Sequence, residues 1–481
     1  MLLSELIEGA APAVAIRGLT ADSRAVRPGY LFAALAGSRA DGIAFVGEAV
    51  DRGAACILVA AERAAEVAAP VPVIADPNPR RRLALMAARF YGAQPATVAA
   101  VTGTSGKTSV AAFTRQIWQR LGHRAAALGT LGITGEGLGE SLAHTTPDPV
   151  ALHRALAEIA AAGVDHLAIE ASSHGLDQCR LDGVAIAAAA FTNLSQDHLD
   201  YHPDAQAYLA AKRRLFEVLL APGGTAVVNR QAPALAAIAA ICRKRDLGLL
   251  TYGRGEADIA LEAIAAAPAG QRLTVATAAG RREIDFPLPG AFQAENALCA
   301  AALVHATGTP LGEALAALPH LAGVPGRLQR VATSAAGAPV FVDYAHKPDA
   351  LRVVLETLRA HTPGRLIVVF GCGGDRDRAK RPMMGAIAAR LADVVIVTDD
   401  NPRSENAAAI RRAILAGCPG ASEIGDRAEA IAAAIAEAGP DDLVLIAGKG
   451  HERGQIVGDR VLSFDDAEVV RAIVHAEEGG R

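Results

Sequence analysis

Residues 103–108 form a short glycine-containing loop whose residue types suit the binding of a nucleotide phosphate. Gly103 and Gly106 frame the loop, and Lys107 and Thr108 follow. The backbone N–H groups of such a loop, and the N-terminus of a helix behind it, attract an anion. The lysine reaches the β- and γ-phosphates, and the threonine hydroxyl binds Mg²⁺. The loop is shorter than the common G-x-x-x-x-G-K-[ST] pattern, so the alternative is a glycine turn that merely opens a helix.

An apolar strand before this phosphate loop and an amphipathic helix after it must position its residues. The alternation of apolar runs and helical patterns continues along the chain. It predicts strands at 97–102, 166–171, 185–191 and 225–229, and helices at 107–121, 149–162, 204–219 and 231–244. This order is typical of a mostly parallel sheet with helices on both faces, in which ligands bind at the carboxyl ends of the strands.

Polar residues stand at the ends of two of these strands. Glu170 ends one, and His198 lies in the segment that follows the next. A carboxylate and an imidazole beside Thr108 would suit Mg²⁺, and a polar loop of helix-capping residues is the alternative. Taken alone, Lys212 is interpreted as an ordinary surface lysine, and Asn296 could contact an adenine edge.

The C-terminal part of the chain repeats the alternation of strands and helices. Strands are predicted at 340–343, 366–370, 394–398 and 443–446. They run into charged loops that contain Gly or Pro, at 343–349, 371–377, 398–403 and 447–452. One such loop could be a simple turn, but several at one sheet edge predict a binding cleft. The arginines of this cleft suit an acceptor that carries a carboxylate, and phosphoryl transfer is the simplest chemistry.

The N-terminal segment is expected to form a separate small α/β unit. A helix is predicted near 45–52 and a strand at 56–59, and a basic helix opens at Pro79. Ser23 and its neighbours are interpreted first as turn residues. The length and these boundaries predict three domains, at 1–90, 91–328 and 329–481.

The composition limits the classes of partner. The chain has 481 residues, of which 51% are hydrophobic and 20% charged, so it can bury more than one core. Its 47 basic and 51 acidic side chains give a net charge of −4, which offers no attraction to nucleic acid or an anionic membrane. The six cysteines are scattered without a C-x-x-C pair, which indicates reduced packing residues and no zinc site. Without a basic leader or an apolar run of about 18 residues, we expect a cytoplasmic protein that has no membrane partner.

Several motifs together resemble one family. They are the phosphate loop, Glu170 with residues 172–176, and residues 192–202, 343–351 and 448–452. In this order, and over essentially the whole chain, they resemble the Mur ligases of peptidoglycan synthesis, whose phosphate loop has the same short form. The resemblance implies a small N-terminal α/β domain, a central P-loop ATPase domain with a mostly parallel sheet, and a Rossmann-like C-terminal α/β domain.

The resemblance also implies a reaction. ATP would phosphorylate the D-glutamate γ-carboxylate of UDP-N-acetylmuramoyl-L-alanyl-D-glutamate, and an amino group of meso-2,6-diaminopimelate would attack the acyl-phosphate. A carboxylate becomes a good acyl donor only when one oxygen can leave as phosphate, and Mg²⁺ and Lys107 neutralise the charge that develops. The implied cofactors are ATP and Mg²⁺, the implied partners are these small molecules, and the chain is expected to be a monomer.

Residue roles follow from the same resemblance, position by position. The implied ATP site consists of Gly103, Thr104, Ser105, Gly106, Lys107, Thr108, Asn296, Arg327 and Asp343. The implied Mg²⁺ ligands are Thr108, Glu170, His198 and Lys212, the last as a carbamate. The implied catalytic residues are Lys107, His198 and Lys212. The implied UDP-muramoyl-dipeptide site consists of Ser23, Ser38, Arg39, Ala40, Thr145, Thr146, Ser172, Gln178 and Arg180.

The implied diaminopimelate site consists of Arg376, Asp400, Asn401, Pro402, Arg403, Gly448 and Glu452. An arginine suits the distal carboxylate of this acceptor, and a glutamate suits its distal ammonium. L-Lysine is the alternative acceptor, but it has no distal carboxylate with which Arg403 could pair.

The chain departs from the family pattern at a few positions, which are Ser105, His144, Pro147, Cys179 and Lys347. Ser105 is small and polar, so the loop should still work, and the other departures concern the fine contacts to the dipeptide.

Two other functions would also fit the phosphate loop. A folylpolyglutamate synthase-like ligase would share the ATPase domain and the carbamylated lysine, but the N-terminal domain and residues 400–403 disfavour it. A non-catalytic nucleotide-binding protein would bind ATP without turnover and would not need Lys212.

Overall fold

The computed structural model describes residues 1–7, 12–37, 40–140, 142, 144–195, 201–267 and 270–479. The chain divides into two compact units. The first unit consists of Met1–Glu262, Thr274–Ile284 and Glu295–Leu318. The second unit consists of Ala263–Leu273, Asp285–Ala294 and Pro319–Arg481. Within the described ranges, no helix is both long and apolar enough to cross a membrane.

The N-terminal part of the first unit contains a parallel sheet. Its strands, in spatial order, are β1 (Gly18–Thr20), β2 (Tyr30–Ala33), β3 (Cys56–Ala60) and β4 (Val73–Asp76). Its helices are α1 (Leu3–Leu6), α2 (Val46–Asp51) and α3 (Pro79–Tyr91). Helix α3 begins where Asn78 Oδ1 accepts from Arg81 N at 3.0 Å, and it ends at Gly92. The helix near 45–52, the strand at 56–59 and the basic helix from Pro79 are confirmed.

A larger central sheet carries the phosphate loop. Its strands are β5 (Thr97–Thr102), β6 (Ala125–Gly129), β7 (Gly132–Gly135), β8 (Leu138–Glu140), β9 (His166–Glu170), β10 (Ile186–Phe191), β11 (Leu220–Asn229), β12 (Gly248–Gly253), β13 (Ile259–Ala267), β14 (Gly270–Thr277) and β15 (Gly280–Phe286). Their spatial order is β15–β14–β13–β12–β11–β10–β5–β9–β6–β7–β8. The accompanying helices are α4 (Lys107–Arg120), α5 (Pro149–Ala161), α6 (Ser173–Asp177), α7 (Ala205–Arg214), α8 (Leu235–Arg245), α9 (Ala291–Ala306) and α10 (Leu311–Ala316).

Four parallel strands, β10, β5, β9 and β6, form the middle of this sheet. Val101 pairs with Glu170 in the register of β5 and β9, and Thr102 pairs with Phe191 in that of β5 and β10. The strands consist largely of buried Ala, Val, Leu and Ile, as expected for a sheet with both faces covered. Their carboxyl ends therefore lie side by side, as the sequence predicts.

Three predicted elements of the central region have different bounds. The strand predicted at 225–229 starts at Leu220, with an irregular register before Thr225. The helix predicted over 204–219 divides into α7 and a π-helical turn at Leu215–Leu219. Helix α8 starts at Leu235 rather than at 231, because Pro233 lacks an N–H and disfavours helical geometry in the residue before it.

The second unit contains a further sheet. Its strands are β16 (Gln329–Thr333), β17 (Pro339–Asp343), β18 (Leu366–Phe370), β19 (Val394–Val397), β20 (Ser422–Glu423) and β21 (Leu443–Ala447). They lie in the order β16–β17–β21–β18–β19–β20, and β16 is antiparallel to β17, whereas the other pairs are parallel. A separate antiparallel hairpin consists of β22 (Gly454–Val457) and β23 (Arg460–Ser463). The helices are α11 (Pro348–Arg359), α12 (Lys380–Leu391), α13 (Ala407–Leu415), α14 (Arg427–Glu437) and α15 (Asp466–Gly479).

The second unit buries both faces of its sheet. Leu366, Val368 and Phe370 of β18 belong to one apolar core, and Ile367 and Val369 belong to another on the opposite face. The predicted strands of this region are confirmed to within one residue at each end. The carboxyl ends of β17, β21, β18 and β19 are neighbours, so the charged loops after them share one sheet edge.

Candidate active site

The phosphate loop joins β5 to α4 at the carboxyl edge of the central sheet. Its glycines have left-handed backbone angles, with φ of +145° at Gly103 and +89° at Gly106. A Cβ atom on Gly103 would overlap the Thr192 hydroxyl oxygen, and one on Gly106 would overlap the Asn296 amide oxygen. The predicted strand, glycine loop and helix are therefore confirmed, and neighbouring side chains explain why both positions need glycine.

Two residues after β10 fix the shape of the loop. Asn193 Oδ1 accepts from Ser105 N at 2.9 Å, and the Asn193 carbonyl accepts from Thr104 N at 3.0 Å. The Thr192 hydroxyl donates to Ser105 O at 2.7 Å. Neither Thr192 nor Asn193 was predicted as a site residue, although their place directly after a predicted strand was a usable signal.

Lys107 begins α4 and folds back over the loop. Its Nζ donates to Gly103 O at 3.0 Å and to Thr104 O at 3.1 Å. The ammonium group therefore lies on the loop, which is the position from which a lysine reaches the β- and γ-phosphates of a bound nucleotide.

Glu170 presents a buried carboxylate to the first turn of α4. Its Oε2 accepts from the hydroxyls of Thr108 and Thr130, each at 3.1 Å, and its Oε1 accepts from Thr130 N at 2.7 Å. The residue is 2% exposed. All of these donors are neutral, and within the described residues Glu170 forms no ion pair with a lysine or arginine. A buried carboxylate in this situation fits a divalent cation that takes oxygen ligands, with Thr108 as a second ligand.

Some residues that the sequence assigns to these sites lie outside the described residues. They are His198, Ser38 and Arg39.

Lys212 is a buried residue of α7, not the surface lysine that its helix alone suggests. It is 1% exposed, its Nζ donates to Gly103 O at 2.7 Å, and it lies 4.4 Å above the ring of Tyr208. Helix α7 is fixed at its N-terminus by Asp204, whose Oδ1 accepts from Ala207 N at 2.7 Å. The interpretation as a surface residue is wrong because the chain alone does not reveal which helix face the sheet covers.

Predicted dipeptide-site residues surround Glu170. The Thr145 and Thr130 hydroxyl oxygens are 3.0 Å apart. The Thr146 hydroxyl donates to Glu170 O at 2.8 Å and accepts from Ser172 N at 3.0 Å. The structure thus brings Thr145, Thr146 and Ser172 next to the carboxylate that ends β9.

Arg180 extends this group of residues. Its Nη1 donates to Thr146 O at 2.7 Å, and its Nη2 donates to Gln178 Oε1 at 2.8 Å. Gln178 Nε2 in turn donates to the Tyr201 hydroxyl at 3.1 Å, and that hydroxyl donates to Asp177 at 2.6 Å. Tyr201 is a further polar side chain beside the predicted dipeptide residues.

Ser23 lies in the N-terminal sheet region, in a 3-10 turn. Its hydroxyl donates to Glu48 Oε2 at 2.8 Å, and the residue is buried. The preceding Asp22 caps the turn by accepting from Arg24 N at 3.0 Å. The expected turn role of these residues is confirmed, and Ala40 is exposed.

The second unit holds Arg327 just before β16 and Asp343 at the carboxyl end of β17. Asp343 Oδ2 accepts from Leu328 N at 2.6 Å, and Oδ1 accepts from Ala345 N at 2.7 Å. Burial raises the pKa of Asp343, while the Arg327 guanidinium and these backbone donors oppose the shift. Arg327 also lies 4.6 Å above the ring of Tyr344, so Arg327 and Asp343 are held close together.

A second polar cluster, here called the acceptor cluster, consists of Asp400, Asn401, Lys449 and Glu452. Lys449 Nζ donates to Asn401 Oδ1 at 3.0 Å and to Glu452 Oε2 at 3.3 Å. Asn401 Nδ2 donates to the same Glu452 oxygen at 2.9 Å. The loops that follow β19 and β21 therefore meet here, and Lys449 is a member that the sequence patterns did not predict.

The other residues predicted for this site lie around the cluster. Gly448 has φ of +119°, and a Cβ there would lie 3.2 Å from Asp400 Oδ2. Arg403 follows Pro402, has φ of +52°, and donates from Nη1 to Gly374 O at 2.8 Å. Arg376 is exposed in the loop after β18.

The central sheet edge carries a phosphate loop, a buried carboxylate and a buried lysine, and the second unit separately carries a buried polar cluster. A UDP-N-acetylmuramoyl-L-alanyl-D-glutamate–2,6-diaminopimelate ligase from Mesorhizobium japonicum is 54% identical over 467 residues, which cover 97% of this chain and 96% of that protein. This chain belongs to the Mur ligase family. Family profiles described as the Mur ligase family catalytic domain, the Mur ligase middle domain and the Mur ligase glutamate ligase domain match residues 15–91, 101–304 and 326–450.

Further comparisons within the Mur ligase family agree. The ligase of the same name from Bradyrhizobium diazoefficiens is 55% identical over 471 residues, with 97% of this chain and 96% of that protein covered. A solved structure of a ligase with this name superposes with a TM-score of 0.72 at 33% identity and covers 99% of both chains. The three-domain α/β fold expected from the sequence is therefore confirmed as a Mur ligase fold.

Proposed function

We propose that this Mur ligase uses ATP to join meso-2,6-diaminopimelate to UDP-N-acetylmuramoyl-L-alanyl-D-glutamate. The meeting of Lys107, Thr108, Glu170 and Lys212 at one end of the central sheet carries the proposal, because it collects the groups that phosphoryl transfer requires. The acceptor and the dipeptide are inferred from relatives that are more than 50% identical and bear this activity in their names.

In the first step, an oxygen of the D-glutamate γ-carboxylate attacks the γ-phosphorus of ATP. A new P–O bond forms, the bond to the β-phosphate oxygen breaks, and ADP leaves. Lys107 lies on the loop where its charge can offset the negative charge that develops on the phosphate oxygens. The product is an acyl-phosphate whose carbonyl carbon is now open to attack.

In the second step, an amino group of diaminopimelate attacks that carbonyl carbon. A tetrahedral intermediate forms, loses a proton from nitrogen and expels inorganic phosphate, which leaves the new amide bond. Glu452 and Arg403 suit the distal ammonium and carboxylate of the acceptor, since opposite charges and a planar guanidinium select these groups. The predicted site also includes Arg376, Asn401 and Gly448.

Thr108 and Glu170 are the described residues that would hold Mg²⁺, with His198 as a further proposed ligand. When bound, the ion would neutralise phosphate charge. We infer that Lys212 is carbamylated, because a carbamate keeps an N–H for Gly103 O while placing negative charge beside the loop. The position of Lys212 supports this inference, because its side chain is buried and its Nζ lies beside the phosphate loop at Gly103 O.

Other assignments belong to the same proposal. Thr145, Thr146, Ser172, Gln178 and Arg180 bind the UDP-muramoyl-dipeptide, together with Ser23 and the loop of residues 38–40. Asn296 contacts the adenine, Arg327 the phosphates and Asp343 the ribose. The domain boundaries are 1–90, 91–328 and 329–481. The protein acts in the cytoplasm, where its phosphate donor ATP is available, and as a monomer.

Phosphate release with UDP-N-acetylmuramoyl-L-alanyl-D-glutamate and ATP tests the proposal. Release is expected with meso-diaminopimelate and much less with L-lysine. A preference for L-lysine would contradict the acceptor and leave the ligase class standing. No release with either acceptor would contradict the proposed function itself.

A further inference from the structure

Lys449 is a fully buried cation to which the proposed reaction gives no role. Its side chain has no exposed surface, and its Nζ lies 3.0 Å from Asn401 Oδ1, 3.3 Å from Glu452 Oε2 and 3.5 Å from Asp400 Oδ1. An ammonium group has three N–H donors, and these acceptors can take all of them. A buried charge satisfied in this way fixes the groups around it.

The first consequence concerns the Asn401 amide. A lysine ammonium can only donate, so the oxygen of the amide must face Lys449. The same oxygen accepts from Ile456 N at 2.9 Å, which agrees with that orientation. The amide nitrogen must then point the other way, where it donates to Glu452 Oε2 at 2.9 Å.

The second consequence concerns the Glu452 carboxylate. Its Oε2 receives both Lys449 and Asn401, which holds the carboxylate plane in one orientation. Its Oε1 has no hydrogen-bond donor within the described residues, and the side chain is 32% exposed. One oxygen is therefore anchored inside the protein, while the other is available to a ligand.

The third consequence concerns charge. Lys449 stands against two carboxylates, Asp400 and Glu452, so the acceptor cluster keeps one negative charge in excess. Without Lys449, the two carboxylates would share a partly buried site and repel each other. Glu452 would then lose the orientation in which its free oxygen can receive an ammonium group.

We infer that Lys449 is a positioning residue that sets Asn401 and Glu452 so that Glu452 Oε1 receives an ammonium group of the amino-acid acceptor. This inference rests on the proposed function, because it assigns the acceptor to this cluster. Lys449 itself does not touch the acceptor, and its effect passes through Asn401 and Glu452.

The test is the kinetics of Lys449→Met, which removes the charge and nearly keeps the volume. We expect the KM for meso-diaminopimelate to rise by about tenfold or more, the usual effect of losing a group that supports a ligand-binding side chain. The KM values for ATP and for the UDP-muramoyl-dipeptide should stay within about twofold, because a local change at this cluster alters only the acceptor contacts. A merely structural role would instead lower kcat and stability without this selective change.

Arg453→Met is the matched control, since Arg453 lies nearby in the chain, is 85% exposed and forms only a loose ion pair of 3.8 Å with Asp465. Its KM values for all three substrates should match those of the wild-type protein. If Lys449→Met does not fold, Lys449→Gln replaces it, because the glutamine amide can still donate to Asn401 and support the fold. It carries no charge to hold Glu452, so the KM for meso-diaminopimelate should still rise, although less than in Lys449→Met.

An active wild-type protein whose Lys449 variants keep the original KM for meso-diaminopimelate would overturn the positioning role alone. Failure of both variants to fold, with Arg453→Met folded, would assign Lys449 to stability and overturn it as well. A wild-type protein that is inactive with every acceptor would overturn the proposed function and this inference together.

Discussion

The Thr108 hydroxyl donates to Glu170 Oε2 across 3.1 Å, although 62 residues separate the two in the chain. Thr108 lies in the first turn of α4, and Glu170 is the last residue of β9, so the contact joins the helix N-terminus to the neighbouring strand end. Both oxygens are hard ligand atoms of the kind that Mg²⁺ prefers. Their meeting supports the proposed Mg²⁺ site beside the phosphate loop.

Glu170→Gln tests the metal assignment. The amide keeps the shape and one acceptor oxygen but removes the charge, so the Mg²⁺ concentration that gives half-maximal phosphate release should rise by about tenfold or more. Chelation of the metal should abolish release in the unchanged protein. Glu158→Gln is the control, because Glu158 is on α5 with its side chain 60% exposed. Identical Mg²⁺ titrations of Glu170→Gln and the wild type would contradict the assignment.

Lys212 is tested by two substitutions. Lys212→Ala removes the group, and Lys212→Arg keeps a cation that cannot become a lysine carbamate. If the lysine carbamate takes part in phosphoryl transfer, both variants should lose about 100-fold in the rate of phosphate release. A loss of this size is usual when a charge-stabilising group is removed from an active site. Arg213→Ala is the control, because Arg213 is one residue further along α7 and pairs with Glu217 at the surface. Activity retained in Lys212→Arg would exclude the carbamate, and activity retained in Lys212→Ala would exclude the ligase mechanism.

Arg403→Ala addresses acceptor choice. Loss of a guanidinium that pairs with the distal carboxylate should raise the KM for meso-diaminopimelate by about 30-fold. The KM for L-lysine, which lacks that carboxylate, should hardly change. The preference for meso-diaminopimelate over L-lysine, measured as the ratio of the two kcat/KM values, should therefore fall. Arg412→Ala on the exposed side of α13 should leave both values unchanged. Equal effects on the two acceptors would show that Arg403 does not read the distal carboxylate.

Local sequence patterns predicted the elements around the site well. The apolar runs marked β5, β9, β17 and β18, and glycines marked the phosphate loop, because strand period and turn geometry depend on neighbouring residues. The alternation of strands and helices along the chain then implied that the polar carboxyl ends of these strands would share one edge of the sheet. The predicted role of Lys212 came from the family resemblance, because the local pattern alone indicated a surface lysine.

The contacts that complete the site depend on distant residues, and local patterns did not reveal them. Thr130 binds Glu170 from 40 positions away, and Asn193 binds Ser105 from 88 positions away. Lys449 has an ordinary sequence setting between two glycines, and only the folded sheet buries it against Asp400 and Asn401. Tertiary packing decides such pairs, so they required the structure.

Asp442 should make the second unit sensitive to acid. Burial alone would raise its pKa, but hydrogen bonds from Arg365 and from backbone N–H groups outweigh burial and lower the pKa to about 2. Since this folded-state value lies below the ordinary value of 3.8, the carboxylate stabilises the fold fully above the ordinary value, and the contribution is lost as pH falls through about 2. The urea midpoint should therefore fall more steeply between about pH 4 and pH 2 in the wild type than in Asp442→Asn. Asp459→Asn, in an exposed turn, is the control, and its urea midpoint should change with pH as that of the wild type does. The prediction would be contradicted if the urea midpoints of Asp442→Asn and the wild type fell equally steeply with pH.

Arg427 and Asp466 form a fully buried ion pair that joins α14 to α15. Arg427 Nε donates to Asp466 Oδ1 at 2.7 Å and Nη2 donates to Oδ2 at 2.8 Å, and neither side chain is exposed. Burial opposes the charge of Arg427, but Asp466 outweighs it and raises the pKa of the guanidinium. Arg427→Met would leave the carboxylate buried without a partner, so this variant should lose about 3–5 kcal/mol of unfolding free energy.

Hydrogen exchange of peptides from α14 and α15 measures that loss within the second unit, without requiring the whole chain to unfold in one step. Arg24→Met is the control, because Arg24 is 81% exposed in its pair with Asp22 and should change stability by less than about 1 kcal/mol. Arg427→Met combined with Asp466→Leu should recover most of the loss, since apolar side chains can replace a buried pair once neither charge remains. A single Arg427→Met variant that exchanges as slowly as the wild type would show that the pair does not stabilise this helix contact.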